Sequence, residues 1–175
     1  RRKRLVLVGS LIGQISIAKA TGKKVTVRNA IGKIESVSNT KDEIHKIFPT
    51  HTERVFKMIK SIKKDGGGRN DLHWRQKLEC HKKGNIGFND IYGRLRWDDY
   101  STTITGGCLN PSKGRFLHPT KNRTITAREA ALLQSFPKQY KFPTDISRAS
   151  LALLIGNALP PKFSYIQSKN IKNHL

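Results

Sequence analysis

Cysteine is nearly absent from this sequence of 175 residues. Only Cys80 and Cys108 occur, and neither belongs to a Cys-x-x-Cys pair. Two isolated thiols exclude a framework of several disulfide bonds and suit a reducing compartment. The sequence is therefore not that of a small secreted domain held together by crosslinks.

Long apolar runs are also lacking. The basic start leads into only a brief apolar stretch, which does not match the pattern of a secretory signal. No segment approaches the length of a membrane-spanning helix. From these two absences we expect a soluble protein in the cytoplasm.

Acidic residues are scarce, and basic residues are abundant. The chain has 12 Asp and Glu against 34 Lys and Arg, which gives a net charge of +22 at pH 7. Positive charge spread along a whole sequence attracts polyanions from a distance, so nucleic acid is the default partner. A ribosomal-type protein or a merely soluble basic surface has the same charge and stays open.

The pattern of apolar residues predicts both strands and helices. Residues 5–8 form a compact run that is typical of a buried strand of a parallel sheet, and residues 23–27 are the best strand in the alternating segment 11–37. A helix over residues 52–64 is predicted by four apolar residues that recur at helical spacing: Val55, Met58, Ile59 and Ile62. The glycines of residues 66–68 end that helix and start a flexible basic loop, which is either a connector or a DNA contact.

The C-terminal third predicts three helices. Thr126 and Glu129 form a capping box, so a helix should start at Ala127 and end before Pro137. Ser147 can cap a second helix that is broken at residues 156–157. Two prolines at residues 160–161 can open a third helix that runs to about residue 169.

Three segments of the chain resemble conserved motifs of the DNA (cytosine-5) methyltransferases. Residues 123–137 (RTITAREAALLQSFP) and 154–161 (LIGNALPP) closely resemble the last two motifs. Residues 1–10 look like a Gln-x-Arg-x-Arg run that leads into an apolar strand, with Arg2 and Arg4 as its two arginines. The resemblance is strong at both ends of the chain and weak in the middle.

This resemblance implies a mixed α+β fold, namely the C-terminal fragment of a Rossmann-like methyltransferase. Residues 1–10 would end the catalytic domain with an orphan strand, and residues 11–122 would be an irregular, β-rich target-recognition domain. Residues 123–175 would be helices that return to pack on an absent catalytic domain. Apolar surface that the absent part covers should then be found among six residues: Leu5, Val6, Leu7, Leu151, Leu153 and Leu154.

The resemblance also implies roles for residues at the two ends. Arg4, with Arg2, would contact the target cytosine after that base has been turned out of the helix. Asn157 and the backbone of Ala158 and Leu159 would close one side of a pocket for S-adenosylmethionine. The implied cofactor is S-adenosylmethionine, and no metal ion is expected.

The middle of the chain would contact double-stranded DNA. Thr103, followed by Ile104, matches a Thr-aliphatic pair that lies against the DNA backbone in this family, although an ordinary strand has the same pattern. Five basic side chains could add phosphate contacts, although surface charges of this kind are more often simply solvated: Arg69, Arg94, Arg96, Lys113 and Arg115. We expect DNA binding to weaken steeply with salt.

Three motifs of the family do not occur in this sequence. These are the Pro-Cys dipeptide of the nucleophile, the Glu-Asn-Val motif of the proton donor and the Phe-x-Gly-x-Gly run of the main cofactor loop. We therefore expect a C-terminal part or subunit of a DNA (cytosine-5) methyltransferase, associated with the bacterial nucleoid, that needs the N-terminal part for activity.

Two other classes of function stay open. One is a catalytically inert, sequence-specific DNA-binding protein derived from such an enzyme. The other is a metal-dependent protein of the nuclease or finger type, although the spacing of its candidate ligands matches no familiar zinc pattern. Those candidate ligands are His73, Cys80, His81, and either Cys108 or His118.

Overall fold

The computed structural model describes residues 5–19, 24–82 and 90–175. In these residues there are six α-helices: α1 (Val27–Ile31), α2 (Glu53–Ser61), α3 (Glu79–Lys82), α4 (Ala127–Leu133), α5 (Arg148–Asn157) and α6 (Pro161–Lys172). Single turns of 3-10 helix lie at Glu43–His45, Arg69–Asp71, Trp74–Gln76 and Pro111–Lys113.

The capping box at Thr126 forms as predicted. The hydroxyl of Thr126 accepts the backbone N–H of Glu129 at 3.1 Å, and Glu129 Oε2 accepts the backbone N–H of Thr126 at 2.8 Å. Satisfying these two buried donors fixes the start of α4 at Ala127, which confirms the prediction. The helix ends at Leu133, and Ser135 then takes a positive φ of 70°.

The two following helices are also confirmed. The hydroxyl of Ser147 accepts the backbone N–H of Ser150 at 3.0 Å, and α5 begins at the next residue, Arg148. Gly156 and Asn157 form the last turn of α5, which continues past the point where a break was expected. Pro161 opens α6, which runs three residues beyond the predicted end.

The prediction of a β-rich recognition region is wrong. The described residues contain no strand, and β pairing is limited to two isolated bridges, Arg94 with Leu117 and Leu117 with Thr124. A strand was predicted at residues 23–27, of which the structure describes residues 24–27. These residues lead into a helix instead, because Thr26 and Asn29 form a capping box and α1 begins at Val27. Alternating β-branched residues fit a pleated surface, but they do not supply the neighbouring strand that a sheet needs.

The predicted orphan strand at residues 5–8 is also wrong. The structure assigns no strand there, and the side chains of Leu5 and Leu7 are 85% and 83% exposed. A strand is defined by backbone hydrogen bonds to a neighbour, and the described part of the chain offers this segment no ladder. An apolar run alone is therefore insufficient to form the strand.

The main core joins the middle of the chain to its C-terminal helices. Ala127, Ala130 and Ala131 of α4 pack against α1 on one side and against Leu151 and Ile155 of α5 on the other. Leu151 is completely buried here, in contrast to the expectation for an apolar surface, whereas Leu153 is 50% exposed. Other core members come from the segment between α3 and α4: Leu95, Ile104, Cys108, Leu109, Phe116 and Ile125.

A second, smaller core lies under α2. Met58, Ile59 and Ile62 form its helical side, as the predicted stripe requires, although α2 itself ends at Ser61. Leu72, Tyr92 and Leu117 are its other buried members. We call the part built on this core, residues 53–82, the α2 lobe. No helix in the described ranges combines the length and apolar character needed to cross a bilayer.

Candidate functional site

One cleft of about 920 Å³ is lined by segments that are distant in sequence. Three of them are residues 100–104 from the middle of the chain, residues 132–135 from the end of α4, and residues 159, 160, 162 and 163 around the start of α6. Val6 and residues 25, 26 and 30, at the start of α1, complete the lining. The three segments named first belong to or adjoin segments that resemble methyltransferase motifs. We call this the motif cleft.

Thr103 lies on one wall of the motif cleft. Its neighbour Ile104 is 3% exposed and packs in the main core, whereas Thr103 itself is only half-buried. The hydroxyl of Thr102 donates to the backbone carbonyl of Arg115 at 3.2 Å and holds this segment in place. The aliphatic residue anchors the segment, and the neighbouring hydroxyl stays near solvent.

The opposite wall is fixed by two hydrogen bonds that the sequence did not reveal. Gln134 Nε2 donates to the backbone carbonyl of Ala158 at 3.0 Å, and the backbone N–H of Lys162 donates to Ser135 Oγ at 3.1 Å. These bonds tie the end of α4 to the turn between α5 and α6. The only signal for them was a polar pair at the end of an otherwise apolar helix.

The residues predicted to bind the cofactor lie at and beside the motif cleft. Leu159 lines the cleft and is 47% exposed, whereas Ala158 is half-buried. Asn157 is the last residue of α5 and is exposed, but it is not among the residues that line the cleft. Their role in cofactor binding stays a prediction.

Gly156 is where α5 makes its closest approach to the middle of the chain. A Cβ atom at this position would lie 2.1 Å from the carbonyl carbon of Thr105 and 2.3 Å from the backbone nitrogen of Gly106. No side chain fits in that space, so glycine is required for the contact. This contact places the end of α5 directly behind residues 103–104.

Arg94 is completely buried and uses all five of its N–H donors. They bond to the backbone carbonyls of Ile59, Ile62, His118 and Lys121 and to the side chain of Asn122. Burial lowers the pKa of Arg94 to about 10. This geometry favours a structural role that joins the α2 lobe to residues 118–122, and a phosphate contact by Arg94 has no support from it.

Arg115 holds the glycine loop that follows α2. Its Nη1 donates to the carbonyls of Gly66 at 2.8 Å and Gly67 at 3.2 Å, and its Nε and Nη2 bond to Asp90. The loop is also fixed through Asp65, whose carboxylate accepts the backbone N–H of Trp97 at 2.7 Å. These contacts favour the connector interpretation of the glycine loop.

The other predicted DNA contacts differ in exposure. Arg69 is only 4% exposed, in the 3-10 turn after the glycine loop. Arg96 and Lys113 are exposed on the surface. Arg2 and Arg4 lie outside the described residues, so the structure neither supports nor opposes their predicted contact with cytosine.

A buried charge cluster lies behind α4. Arg123 donates to both carboxylate oxygens of Glu129, at 2.7 and 2.8 Å, and Glu129 is fully buried. Burial alone raises the pKa of Glu129, but the hydrogen bond and charge of Arg123 outweigh it, so the pKa is lowered. Arg128, which precedes Glu129 in the sequence, pairs with Asp42 and donates to the carbonyl of Tyr140. Arg128 and Glu129 therefore both hold the fold together.

His118 sits in the same cluster in its neutral form. The backbone N–H groups of Thr120 and Lys121 donate to its Nδ1 at 3.2 and 3.0 Å, which requires that Nδ1 carry no proton. Its Nε2 lies 3.8 Å from Glu129 Oε1. Burial lowers the pKa of His118 from 6.5 to about 4, although Glu129 acts in the opposite direction.

We expect the chain to lose stability in mild acid because of His118. The unfolded chain binds a proton at this residue below pH 6.5, whereas the folded chain resists it down to about pH 4. Stability is therefore greatest above pH 6.5 and falls by roughly 3 kcal/mol as the pH drops to 4. Denaturant unfolding followed by circular dichroism between pH 4 and 8 measures this fall.

The matched control is His118→Asn. An asparagine oxygen can accept the same two backbone N–H bonds and does not titrate. This variant should give a flatter pH profile than the natural chain between pH 4 and 6.5. An unchanged slope would assign the acid sensitivity to other groups.

The two cysteines differ in their exposure to solvent. Cys108 is completely buried in the main core, and burial raises the pKa of its thiol to about 12, so it is not a thiolate at neutral pH. Cys80 is exposed at the start of α3. Among the described residues, no group of three or more His, Cys, Asp or Glu side chains could hold a metal ion.

Comparison of the sequence with known proteins identifies a family. The family model described as C-5 cytosine-specific DNA methylase matches residues 1–173. The type II methylase M.HgiDII of Herpetosiphon aurantiacus is 34% identical over 187 aligned positions, which cover 100% of this chain and 52% of the relative. This chain therefore spans about half the length of that protein.

Two further relatives match shorter parts of the chain. The type II methyltransferase M1.BsuMI of Bacillus subtilis is 40% identical over 52% of this chain and 21% of its own length. The mouse DNA (cytosine-5)-methyltransferase 1 is 39% identical over 47% of this chain and 5% of its own length. The match over nearly all of the sequence shows that this chain belongs to the C-5 cytosine-specific DNA methylase family.

Proposed function

We propose that this chain is the C-terminal part of a DNA (cytosine-5) methyltransferase and acts together with an N-terminal catalytic part, in the same polypeptide or a separate one. It recognises double-stranded DNA and supplies one wall of the pockets for S-adenosylmethionine and the extruded cytosine. Its place of action is the bacterial nucleoid. By itself it does not transfer a methyl group.

The observation that carries this proposal is the motif cleft. Residues 100–104, residues 132–135 and residues 159, 160, 162 and 163 come from three separate motif-like segments, yet they line one cavity. A family match by itself would not require them to meet. Their convergence supports a binding function for the segments as a set.

The residues around the motif cleft fit S-adenosylmethionine. An adenosyl ligand needs a largely apolar wall with a few hydrogen-bonding groups, which Leu159, Phe163 and the Gln134 amide provide. Asn157, two residues before the lining residue Leu159, has an exposed amide that offers both a donor and an acceptor. When bound, S-adenosylmethionine supplies the electrophilic methyl group, and the residues of this chain hold and orient it.

DNA would be contacted by Thr103 and by exposed basic side chains. The Thr103 hydroxyl can bind a phosphate oxygen, with Arg96 and Lys113 as exposed cations of the same chain. Arg4 would hold the carbonyl edge of the extruded cytosine with a guanidinium group that stays charged. Extruding that base costs a few kcal/mol, which such contacts offset.

The nucleophile would come from the N-terminal part. The thiol of Cys108 is buried in the core with its pKa raised to about 12, and Cys80 lacks the preceding proline that the family uses. The exposed side chains Leu5, Leu7, Leu153 and Leu154 provide apolar area that the N-terminal part could cover. These features support an enzyme in which the N-terminal part supplies the nucleophile and this chain packs against it.

Reconstitution tests this proposal. The chain is mixed with the N-terminal half of the Herpetosiphon relative, and transfer of labelled methyl groups from S-adenosylmethionine to DNA is measured. We expect no transfer by either part alone and measurable transfer by the mixture. Asn157→Ala in this chain should raise the KM for S-adenosylmethionine by about tenfold, which corresponds to the loss of a hydrogen bond of roughly 1.4 kcal/mol.

Asn173→Ala is the matched control, because Asn173 is an exposed asparagine that caps the end of α6, away from the motif cleft. It should leave both kcat and KM unchanged. Persistent inactivity of a mixture in which the two parts are shown to associate and to bind DNA would support the alternative, a catalytically inert DNA-binding protein.

A further inference from the structure

The α2 lobe presents an exposed aromatic ring surrounded by positive charge. Trp74 begins the 3-10 turn Trp74–Gln76, and its side chain is 58% exposed. The Lys82 ammonium lies 5.0 Å from the centre of the ring, and the Arg75 guanidinium lies 5.7 Å from it. Tryptophan is usually largely buried, so a ring left open to solvent between two cations requires an explanation.

The ring is held in place without being part of the core. His73 accepts the backbone N–H of Arg75 at 3.4 Å and donates its own backbone N–H to Gln76 at 3.1 Å, which fixes the turn. Gln76 Nε2 donates to the hydroxyl of Ser61 at 3.2 Å and joins the turn to the end of α2. The interior of the lobe is filled by other side chains, so Trp74 is not needed for packing.

The positive charge extends from this turn onto α2. Arg75 lines a depression of about 460 Å³ together with Arg54 and Lys57 of α2. The two carboxylates nearby are already paired, Glu53 with Lys57 and Glu79 with both Lys82 and Arg54. Arg75 forms no ion pair with any residue of the described ranges. The cations of this surface therefore outnumber its carboxylates.

We propose that this surface, defined by Trp74, Arg75, Lys82, Arg54 and Lys57, is a DNA-contacting surface of the chain. The Trp74 ring packs against a base or a deoxyribose, and the flanking cations bind backbone phosphates. In a duplex the base faces are covered by their stacked neighbours, so the ring packs on a deoxyribose or on a base that has left the stack, while lysine and arginine bind phosphate oxygens. The assignment rests on the proposed function and adds to it a recognition element in the α2 lobe.

Nucleic acid matches this surface better than an acidic protein does. An acidic protein would satisfy the cations but would leave the exposed indole face without a planar partner. A nucleotide combines a phosphate with a flat ring within one repeating unit, which matches an aromatic side chain between two cations. Both the aromatic ring and the cations of this surface therefore have a partner in DNA.

Binding of a short DNA duplex of mixed sequence by the 175-residue chain tests the assignment. Trp74→Ala should weaken the affinity by about tenfold at fixed salt without changing the slope of log affinity against log salt. Arg75→Gln should instead reduce that slope by about 0.9, because it removes one phosphate contact. Trp74→Phe should recover most of the lost affinity.

Tyr165→Ala is the matched control, because Tyr165 is an aromatic residue of α6 with 68% exposure that lies outside this surface. It should bind DNA as the natural chain does, and thermal unfolding should show that all four variants remain folded. Quenching of Trp74 fluorescence by DNA in a Trp97→Phe background provides a second measurement of the same contact.

The outcomes separate the two proposals. Normal DNA binding by both Trp74→Ala and Arg75→Gln would overturn the assignment of this surface and leave the proposed function standing. Failure of the natural chain to bind DNA at any salt concentration would overturn both. Binding of polyglutamate in place of DNA, with the same dependence on Arg75, would overturn the assignment in favour of an acidic protein partner.

Discussion

Substitution of Gly156 by alanine should destabilise the chain by roughly 3 kcal/mol or more. The new methyl group would lie 2.1 to 2.3 Å from the backbone atoms of Thr105 and Gly106, which is far inside van der Waals contact. Backbone atoms cannot swing aside as a flexible side chain can, so α5 must move as a unit. Leu151 and Ile155 would then lose part of their packing in the main core.

Denaturant unfolding of the variant measures the effect directly. Gly9→Ala is the matched control, because a methyl group there has no atom within 4 Å and the backbone does not have a positive φ. It should change the free energy of unfolding by less than about 0.5 kcal/mol. Equal stability of the two variants would show that α5 does not pack on residues 105–106 as described.

Replacement of Arg94 by methionine should have a comparable effect, roughly 3 to 5 kcal/mol. Methionine removes the Arg94 hydrogen bonds to four backbone carbonyls, of which those of Ile59, Ile62 and His118 are buried contacts, and to the Asn122 side chain. Arg94→Lys should recover only part of the loss, because an ammonium group has three donors and lacks the planar fork. Urea unfolding of the three proteins gives the comparison.

Arg96→Met is the control for charge and position. Arg96 is two residues away, exposed on the surface, and its loss should cost less than about 0.5 kcal/mol. If Arg94→Met were as stable as Arg96→Met, the buried hydrogen bonds of Arg94 would contribute nothing to the fold. DNA binding by folded Arg94→Lys then tests the remaining prediction of a phosphate contact.

The helices were predictable because their signals are local. Thr126 with Glu129, Ser147 and Pro161 each mark a helix start through chemistry contained within one turn. Residues 156–157 were predicted to break the second helix, whereas Gly156 stays helical and lets α5 pack closely on another segment. Which backbone it approaches depends on the packing of α5 against residues 105–106, and the sequence carries no local sign of that.

The strand predictions failed because a strand depends on a partner that is distant in sequence. Residues 5–8 have the composition of a buried strand, but a strand exists only when a second segment pairs with it. The same non-local dependence applies to Arg94, whose five acceptors are spread from Ile59 to Asn122. A basic residue in a basic chain looks like a surface charge until the fold encloses it.

The roles of the site residues stay predictions, and their arrangement was not foreseen. Thr103, predicted to contact DNA, and Leu159, predicted to bind the cofactor, line the same cleft. Gln134 and Ser135 were missed because they act through single hydrogen bonds to distant residues. The α2 lobe carried no motif at all, and its exposed tryptophan could be singled out only once the burial of the surrounding residues was known.

The main core is built from segments on both sides of position 122, and this limits which parts of the chain could be exchanged between relatives. Core residues on both sides of position 122 interlock, so a chimaera joined there would bring together two halves of an interior that were never matched. The main core includes no residue of the α2 lobe, residues 53–82. A graft limited to that lobe would carry the proposed DNA-contacting surface with it and leave the main core of the host unchanged.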